Sequence, residues 1–147
     1  MGALALPEHG SIYLDANCII YSMERIEPYR TLLQPLWNTA ATRTLTIITS
    51  ELTLLEVLVG PLKTGNKGLE DDFRALLQNS PDVSMLPVTQ AVLERAASIR
   101  ATTGLKTPDA IHAATALLAG CALFVTNDPP FRRITDLSAS LLSEAIP

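Results

Sequence analysis

The sequence predicts a three-layer α/β/α sandwich around a mostly parallel central sheet. Two observations lead there. Short apolar runs rich in β-formers alternate with helical patterns of 10–15 residues, the signature of strand–helix–strand units. Two of those runs, ending at Asp15 and just before Asp128, stop abruptly in a carboxylate, as strands do when their carboxyl ends face a ligand crevice.

The elements follow in order along the chain. Ile12-Tyr13-Leu14-Asp15 reads as a buried strand, and Ile19 to Met23 as a brief helix. Pro28 stands where the first turn of a longer helix begins, and Leu32, Leu33, Leu36, Trp37 and Ala40 then recur at helical spacing as far as Ala41. Leu45 to Thr49 is a second strand. Ser50 follows as an N-cap and Glu51 sits in the first turn, where the helix dipole favours negative charge. That helix is expected to stop at Val59, before the breaker pair Gly60-Pro61, with residues 63–68 as a loop. Leu69 to Gln78 is helical, and Val83 to Val88 is a third strand, which Pro87 assigns to an edge. Ala91 to Ala101 is helical and 102–106 a connecting loop. Thr107-Pro108-Asp109 reads as cap, first helical residue and first-turn acid of a helix ending at Gly120. Ala122 to Thr126 is a buried strand. A weak strand or turn is expected near Ile134, and residues 137–146 carry no assignable pattern.

No repeat, low-complexity tract or linker interrupts the 147 residues, so a single domain over 1–147, with its core at about 12–135, is expected. A content of 48% hydrophobic and 18% charged residues excludes a disordered tail or a coiled coil, and 5% aromatics implies an aliphatic core. Eleven Lys+Arg against fifteen Asp+Glu give a net charge of −4, the opposite of a dedicated duplex-DNA binder. Cys18 and Cys121 lie in apolar segments and read as small core residues in a reducing compartment. With no signal peptide and no run of about 18 apolar residues, a cytoplasmic chain with no membrane partner is expected.

Four acids carry the chemistry. Asp15 and Asp128 lie at strand ends, Asp109 in the first turn of a helix, and Glu56 within a helix among Leu54, Leu55, Val57 and Leu58. Singly, Asp109 fits helix-dipole chemistry, Asp128 a turn before two prolines, and Glu56 a solvated helix position. Together at one point they would repel, and a hard divalent ion, Mg²⁺ or Mn²⁺, is the direct compensation. There is no Walker loop, no GxGxxG and no nucleophile with a base at catalytic spacing.

Four segments set these acids in a characteristic order: Tyr13-Leu14-Asp15-Ala16-Asn17, Ser50 to Glu56, Pro108-Asp109-Ala110-Ile111-His112-Ala113-Ala114-Thr115, and Thr126-Asn127-Asp128 with Phe131. The chain resembles the PIN-domain family over roughly residues 12–135, and especially the VapC-type toxins of bacterial toxin–antitoxin pairs. The resemblance implies a Mg²⁺- or Mn²⁺-dependent endoribonuclease. Its catalytic and metal-holding residues would be Asp15, Glu56, Asp109 and Asp128, with a protein antitoxin as partner. Pro129-Pro130 depart from the family, which usually has more polar residues there.

Asn17 and Thr126 are candidates to support the ligating oxygens, with capping and turn formation as their plainer roles. Lys106, Arg132 and Arg133, with Lys63 and Lys67, are candidates for an RNA-binding rim, against scattered solvated charge. His112 invites a general-base role, but a water activated by metal needs no imidazole, so a packing histidine is expected. The Pro28–Ala41 and Glu51–Val59 helices are candidate faces for the antitoxin or a homodimer. Two other functions fit the same acids. One is a non-catalytic RNA- or protein-binding module. The other is a Mg²⁺-dependent phosphatase, disfavoured because Ala16 and Asn17, not a second Asp, follow Asp15.

Overall fold

The computed structural model describes residues 2–146. Its centre is a five-stranded sheet in the order β3-β2-β1-β4-β5, built from β1 (Gly10–Leu14), β2 (Leu45–Ser50), β3 (Val83–Leu86), β4 (Leu123–Thr126) and β5 (Ala139–Leu141). Every pairing is parallel. Parallel neighbours need crossover connections; six helices lie in those between β1 and β4, and a 3₁₀ turn at Pro129–Arg133 lies between β4 and β5. The helices are α1 (Ala16–Met23), α2 (Tyr29–Ala41), α3 (Glu51–Thr64), α4 (Lys67–Arg74), α5 (Gln90–Thr103) and α6 (Thr107–Ala119).

Strand β1 is central and buried on both faces, and its alternating side chains feed two cores. Ile12 and Leu14 join Ile47, Val125 and the apolar faces of α1 to α4. Tyr13 joins Phe124 and the inner faces of α5 and α6 on the other side. Helix α6 is buried from Ala110 through Ala116, and its four alanines in that stretch admit close approach of its neighbours. The layered α/β/α arrangement is as the sequence predicts.

Strand order reverses direction beside β1: the chain moves first to β2 and β3 on one side, then to β4 and β5 on the other. The carboxyl ends of β1 and β4 therefore flank a topological switch point, the place where open α/β sheets leave a crevice. Asp15 follows β1 directly, and Asp128 lies two residues beyond β4.

Several local expectations are corrected. Helix α3 does not stop at Val59: it runs through Gly60-Pro61 to Thr64. Pro61 forfeits one backbone bond, but it is buried beside Val57 and Leu58 on the core face, and that burial carries the helix past it. The stop is Gly65, whose φ of 69° lets its N–H reach the Pro61 carbonyl. Loop 63–68 shrinks accordingly, because Asn66 caps α4 by accepting the Leu69 N–H. The helix after it ends in a wide π turn at Ala75–Asn79. Helix α1 begins at Ala16, not Ile19, with Asp15 as its N-cap. At α6 the cap is Lys106, in extended conformation, and Thr107 is already helical. The unassigned tail holds β5 and a 3₁₀ turn at Leu142–Ala145, and the weak element near Ile134 is the end of a 3₁₀ turn at Pro129–Arg133.

Candidate functional site

At the switch point a pocket of about 360 Å³ is lined by Asp15, Asn17, Glu56, Asp109, His112 and Asp128, with Ile20, Leu55, Val59 and Phe131 as apolar walls. All four acids singled out in the sequence thus meet one cavity, although they come from four separate segments.

Asp15 forms the floor and is only 5% exposed. Its position follows from its capping role: Oδ1 accepts the Cys18 N–H at 3.1 Å. Oδ2 accepts the Thr126 hydroxyl at 2.5 Å, and the same hydroxyl oxygen accepts the Asp128 N–H at 3.1 Å. One buried threonine therefore ties the end of β1 to the loop after β4. Burial pushes the Asp15 carboxyl above its ordinary value, against the lowering effect of the Thr126 and Cys18 donors.

Asp109 is held by the first turn of α6. Burial raises its pKa, the nearby Asp128 adds to the rise, and Asp15 and Glu56 contribute further, with His112 opposing them. Asp128 precedes the Pro129–Arg133 turn, which starts with both prolines at its first positions. The turn is pinned by Phe131, which is buried and lies 4.6 Å from Phe124 between ring centroids. The departure from the family pattern at Pro129-Pro130 leaves Asp128 on the pocket wall.

Glu56 extends from α3, and its Oε1 lies 2.5 Å from His112 Nε2. The other ring nitrogen, Nδ1, lies 2.5 Å from the Tyr13 hydroxyl. His112 and Tyr13 are both buried. The sequence marked His112 as a packing residue; its burial fits, but its contact with Glu56 was not foreseen. Tyr13 was missed entirely. Only the Pro108-Asp109-Ala110-Ile111-His112 spacing, three residues from acid to imidazole, hinted that one helix face serves the same cavity.

The basic candidates stand elsewhere. Arg132 is exposed and paired with Glu144, Arg133 reaches the Thr103 carbonyl at 3.4 Å, and Lys67 pairs with Glu70 and Asp71. Lys106 is exposed one residue before α6. None of them is among the residues lining the pocket. Asn17 is exposed at its mouth, whereas Thr126 bonds directly to Asp15.

This donor set fits a hard divalent cation. It offers carboxylate oxygens, which Mg²⁺ and Mn²⁺ prefer. Its charges are mutually repulsive, and no lysine or arginine lines the cavity to offset them. Among the described residues, no three of His, Cys, Asp and Glu are drawn close enough to enclose one ion. The arrangement suits an ion that keeps several waters and takes few carboxylates directly.

Comparison with known proteins agrees with this geometry. The family model of the PIN domain matches residues 12–137. Comparison with curated proteins gives no match. The fold is similar to that of a toxin–antitoxin complex from Klebsiella pneumoniae, at 25% identity and a TM-score of 0.66 over 86% of this chain and 94% of that one. It is also similar to VapBC2 from Rickettsia felis, solved with a DNA fragment from its promoter (19% identity, TM-score 0.68, 89% and 98% covered). A third is FitAcB from Neisseria gonorrhoeae (22% identity, TM-score 0.66, 87% and 95% covered).

Proposed function

The chain belongs to the PIN domain family, and from that premise we propose that it is a metal-dependent endoribonuclease, the toxin half of a toxin–antitoxin pair. The observation that carries the proposal is the convergence of Asp15, Glu56, Asp109 and Asp128 on one cavity whose lining holds no lysine or arginine. A binding module needs no such concentration of repelling charge. A phosphatase would use the same oxygens, but family membership favours the nuclease.

Asp15 and Asp109 would hold Mg²⁺ or Mn²⁺, with Asp128 and Glu56 completing or orienting the set. When bound, the ion supplies positive charge to a phosphate oxygen and makes water a better nucleophile. The chain's own part is positional. Cys18 N–H and Thr126 Oγ1 hold both Asp15 oxygens, so the floor of the site is fixed before substrate arrives. Asp109 lies near enough to Asp128 to feel its charge, and a cation entering the cavity would relieve that repulsion. Ile20, Leu55, Val59 and Phe131 give the cavity apolar walls. Attack on phosphorus with departure of the 3′ oxygen leaves a 5′-phosphate and a 3′-hydroxyl. Lys106, Lys63 and Arg133 would meet flanking phosphates outside the cavity; Arg132 must first leave Glu144.

The antitoxin partner is supported by the Klebsiella neighbour, which is a toxin–antitoxin complex. It is supported further by Leu55, Val59 and Leu62, an exposed apolar stripe at i, i+4 and i+7 on α3, beside the mouth. The α2 helix bears no comparable exposed apolar side chain among the described residues, so α3 is the better face for a partner or a second copy. Among the described residues no helix is long and apolar enough to cross a membrane.

The test is cleavage of a structured RNA with added Mg²⁺ or Mn²⁺, comparing wild type, Asp15→Asn and Asp109→Asn. The proposal expects cleavage by wild type alone, with 5′-phosphate ends. Equal cleavage by all three would reject these residues as the catalytic acids.

A further inference from the structure

Glu56 differs from the three aspartates of the cavity. It comes from the middle of a helix, carries the longest side chain of the four, and is half-buried. Backbone donors and short turns place Asp15 and Asp128, and a helix N-terminus places Asp109. Glu56 has no such local support, and its carboxylate oxygen instead meets the ring of a residue 56 positions away in sequence.

We propose that His112 is a positioning residue that holds the Glu56 carboxylate at the cavity, itself locked in place by the Tyr13 hydroxyl. The proposal rests on the reading of the cavity as a metal-dependent nuclease site.

Donor arithmetic fixes the direction of the chain of bonds. An ionised carboxylate only accepts, so His112 Nε2 carries the hydrogen and donates to Glu56 Oε1. Tyr13 is fully buried, and burial drives its pKa well above the ordinary value, so its hydroxyl keeps its proton. It donates to Nδ1. With one nitrogen donating and the other accepting, the ring has one tautomer and one orientation. The Tyr13 ring reinforces that orientation through an edge-on contact, 5.8 Å between centroids at 68°. Tyr13 is in turn stacked on Phe124 at 4.9 Å and 2°, so the anchor is rigid. Both ring nitrogens are engaged, which leaves neither free to take a proton from an attacking water.

The three residues come from β1, α6 and α3. Helix α6 therefore places one acid directly, through Asp109, and a second one turn later through an imidazole. The relation between Asp109 and Glu56 is set by a single rigid element, so a cation entering the cavity meets the fourth acid already in place. A histidine that merely filled space would need neither polar partner, and a hydrophobic residue would serve as well in that layer of buried alanines.

The test uses the full chain and two readouts that do not depend on turnover. The first is the ¹⁵N and ¹H spectrum of the His112 side chain in metal-free protein. The expected result is an Nε2–H protected from solvent exchange in wild type and lost to rapid exchange in Glu56→Ala. An unprotonated Nε2 in wild type would overturn the proposal. The second is Mn²⁺ affinity, followed by electron paramagnetic resonance. His112→Ala is expected to weaken Mn²⁺ binding about 10–100-fold, the range for loss of a group that orients a metal ligand. His112→Gln, which keeps a donor near the position of Nε2, should recover most of that loss. Tyr13→Phe, which keeps the stacked ring but frees the imidazole, tests the same claim if the alanine variant does not fold, and should weaken binding as well. Wild-type affinity in His112→Ala or Tyr13→Phe, alongside lost affinity in Asp109→Asn, would overturn the positioning role while leaving the metal site standing. Wild-type affinity in Asp109→Asn would overturn the metal reading itself, and the positioning role with it.

Discussion

Thr126→Val removes one hydroxyl and adds one methyl at nearly constant volume, in a side chain that is fully buried. Two bonds go with the hydroxyl: its donation to Asp15 Oδ2 at 2.5 Å and its acceptance from the Asp128 N–H at 3.1 Å. A hydrogen bond to a charged group contributes about 1.5–3 kcal/mol, and the second, to a half-buried backbone donor, about 0.5–1.5 kcal/mol. The variant should therefore be less stable at neutral pH by about 2–4.5 kcal/mol. For a chain of 147 residues that lowers Tm by about 4–18 °C. Urea unfolding and a thermal scan, with Thr126→Ser as the control that keeps the hydroxyl, measure it. The loss should also depend on pH with a definite sign. Burial already raises the Asp15 pKa, and Thr126 is the strongest influence holding it down. Without the hydroxyl it rises further, and protonation then removes the charge that lost its donor. The gap between wild type and variant should therefore be full at neutral pH and shrink as pH falls toward the ordinary aspartate value of 3.8. A variant as stable as wild type at neutral pH, or a gap that widens on acidification, would contradict the assigned bonds.

Other consequences are as direct. The folded-state pKa of Asp109 is raised, by burial first and by Asp128 next. Its contribution to stability is thus complete below 3.8 and lost as pH rises through the folded value. Metal-free wild type should lose Tm across that rise more steeply than Asp109→Asn, and parallel profiles would refute the charge crowding. Gly60→Ala should change stability by less than about 0.5 kcal/mol in urea, since the added methyl meets open space on an exposed helical position but the clash of its Cβ with the following Pro61 offsets the usual helix gain. Gly65→Ala should instead destabilise it by about 1–2 kcal/mol, because the cap needs a φ of 69°; equal effects would place the end of α3 wrongly.

Much of the fold was legible because each strand was both apolar and sharply bounded. Tyr13 and Phe124, and Ile12 and Ile47, sit side by side in the sheet at the middle of runs that the pattern picked out. The misplaced boundaries share a cause: local signals were overruled by burial. Gly60-Pro61 is a breaker pair in isolation, yet Pro61 lies on the core face of α3. Asp15, an acid at the end of a strand, is equally the cap of α1, and its place three residues before Cys18 is the available clue. The short last strand could not be seen, because Ala139-Ser140-Leu141 has no pattern of its own and is made a strand only by its neighbour β4. In the site, the four acids were visible as acids at element ends or amid apolar neighbours. The Tyr13–His112–Glu56 chain was not, because it joins residues 99 and 56 positions apart in sequence and neither partner is unusual where it stands.

The most direct measurement is anomalous diffraction from crystals soaked in Mn²⁺. An ion should appear in the cavity bonded to oxygens of Asp15 and Asp109, at roughly 2.0–2.4 Å, with waters filling the remaining positions. Density for manganese only at surface carboxylates such as Asp71 and Glu144, with the four cavity acids unmoved and unliganded, would contradict it.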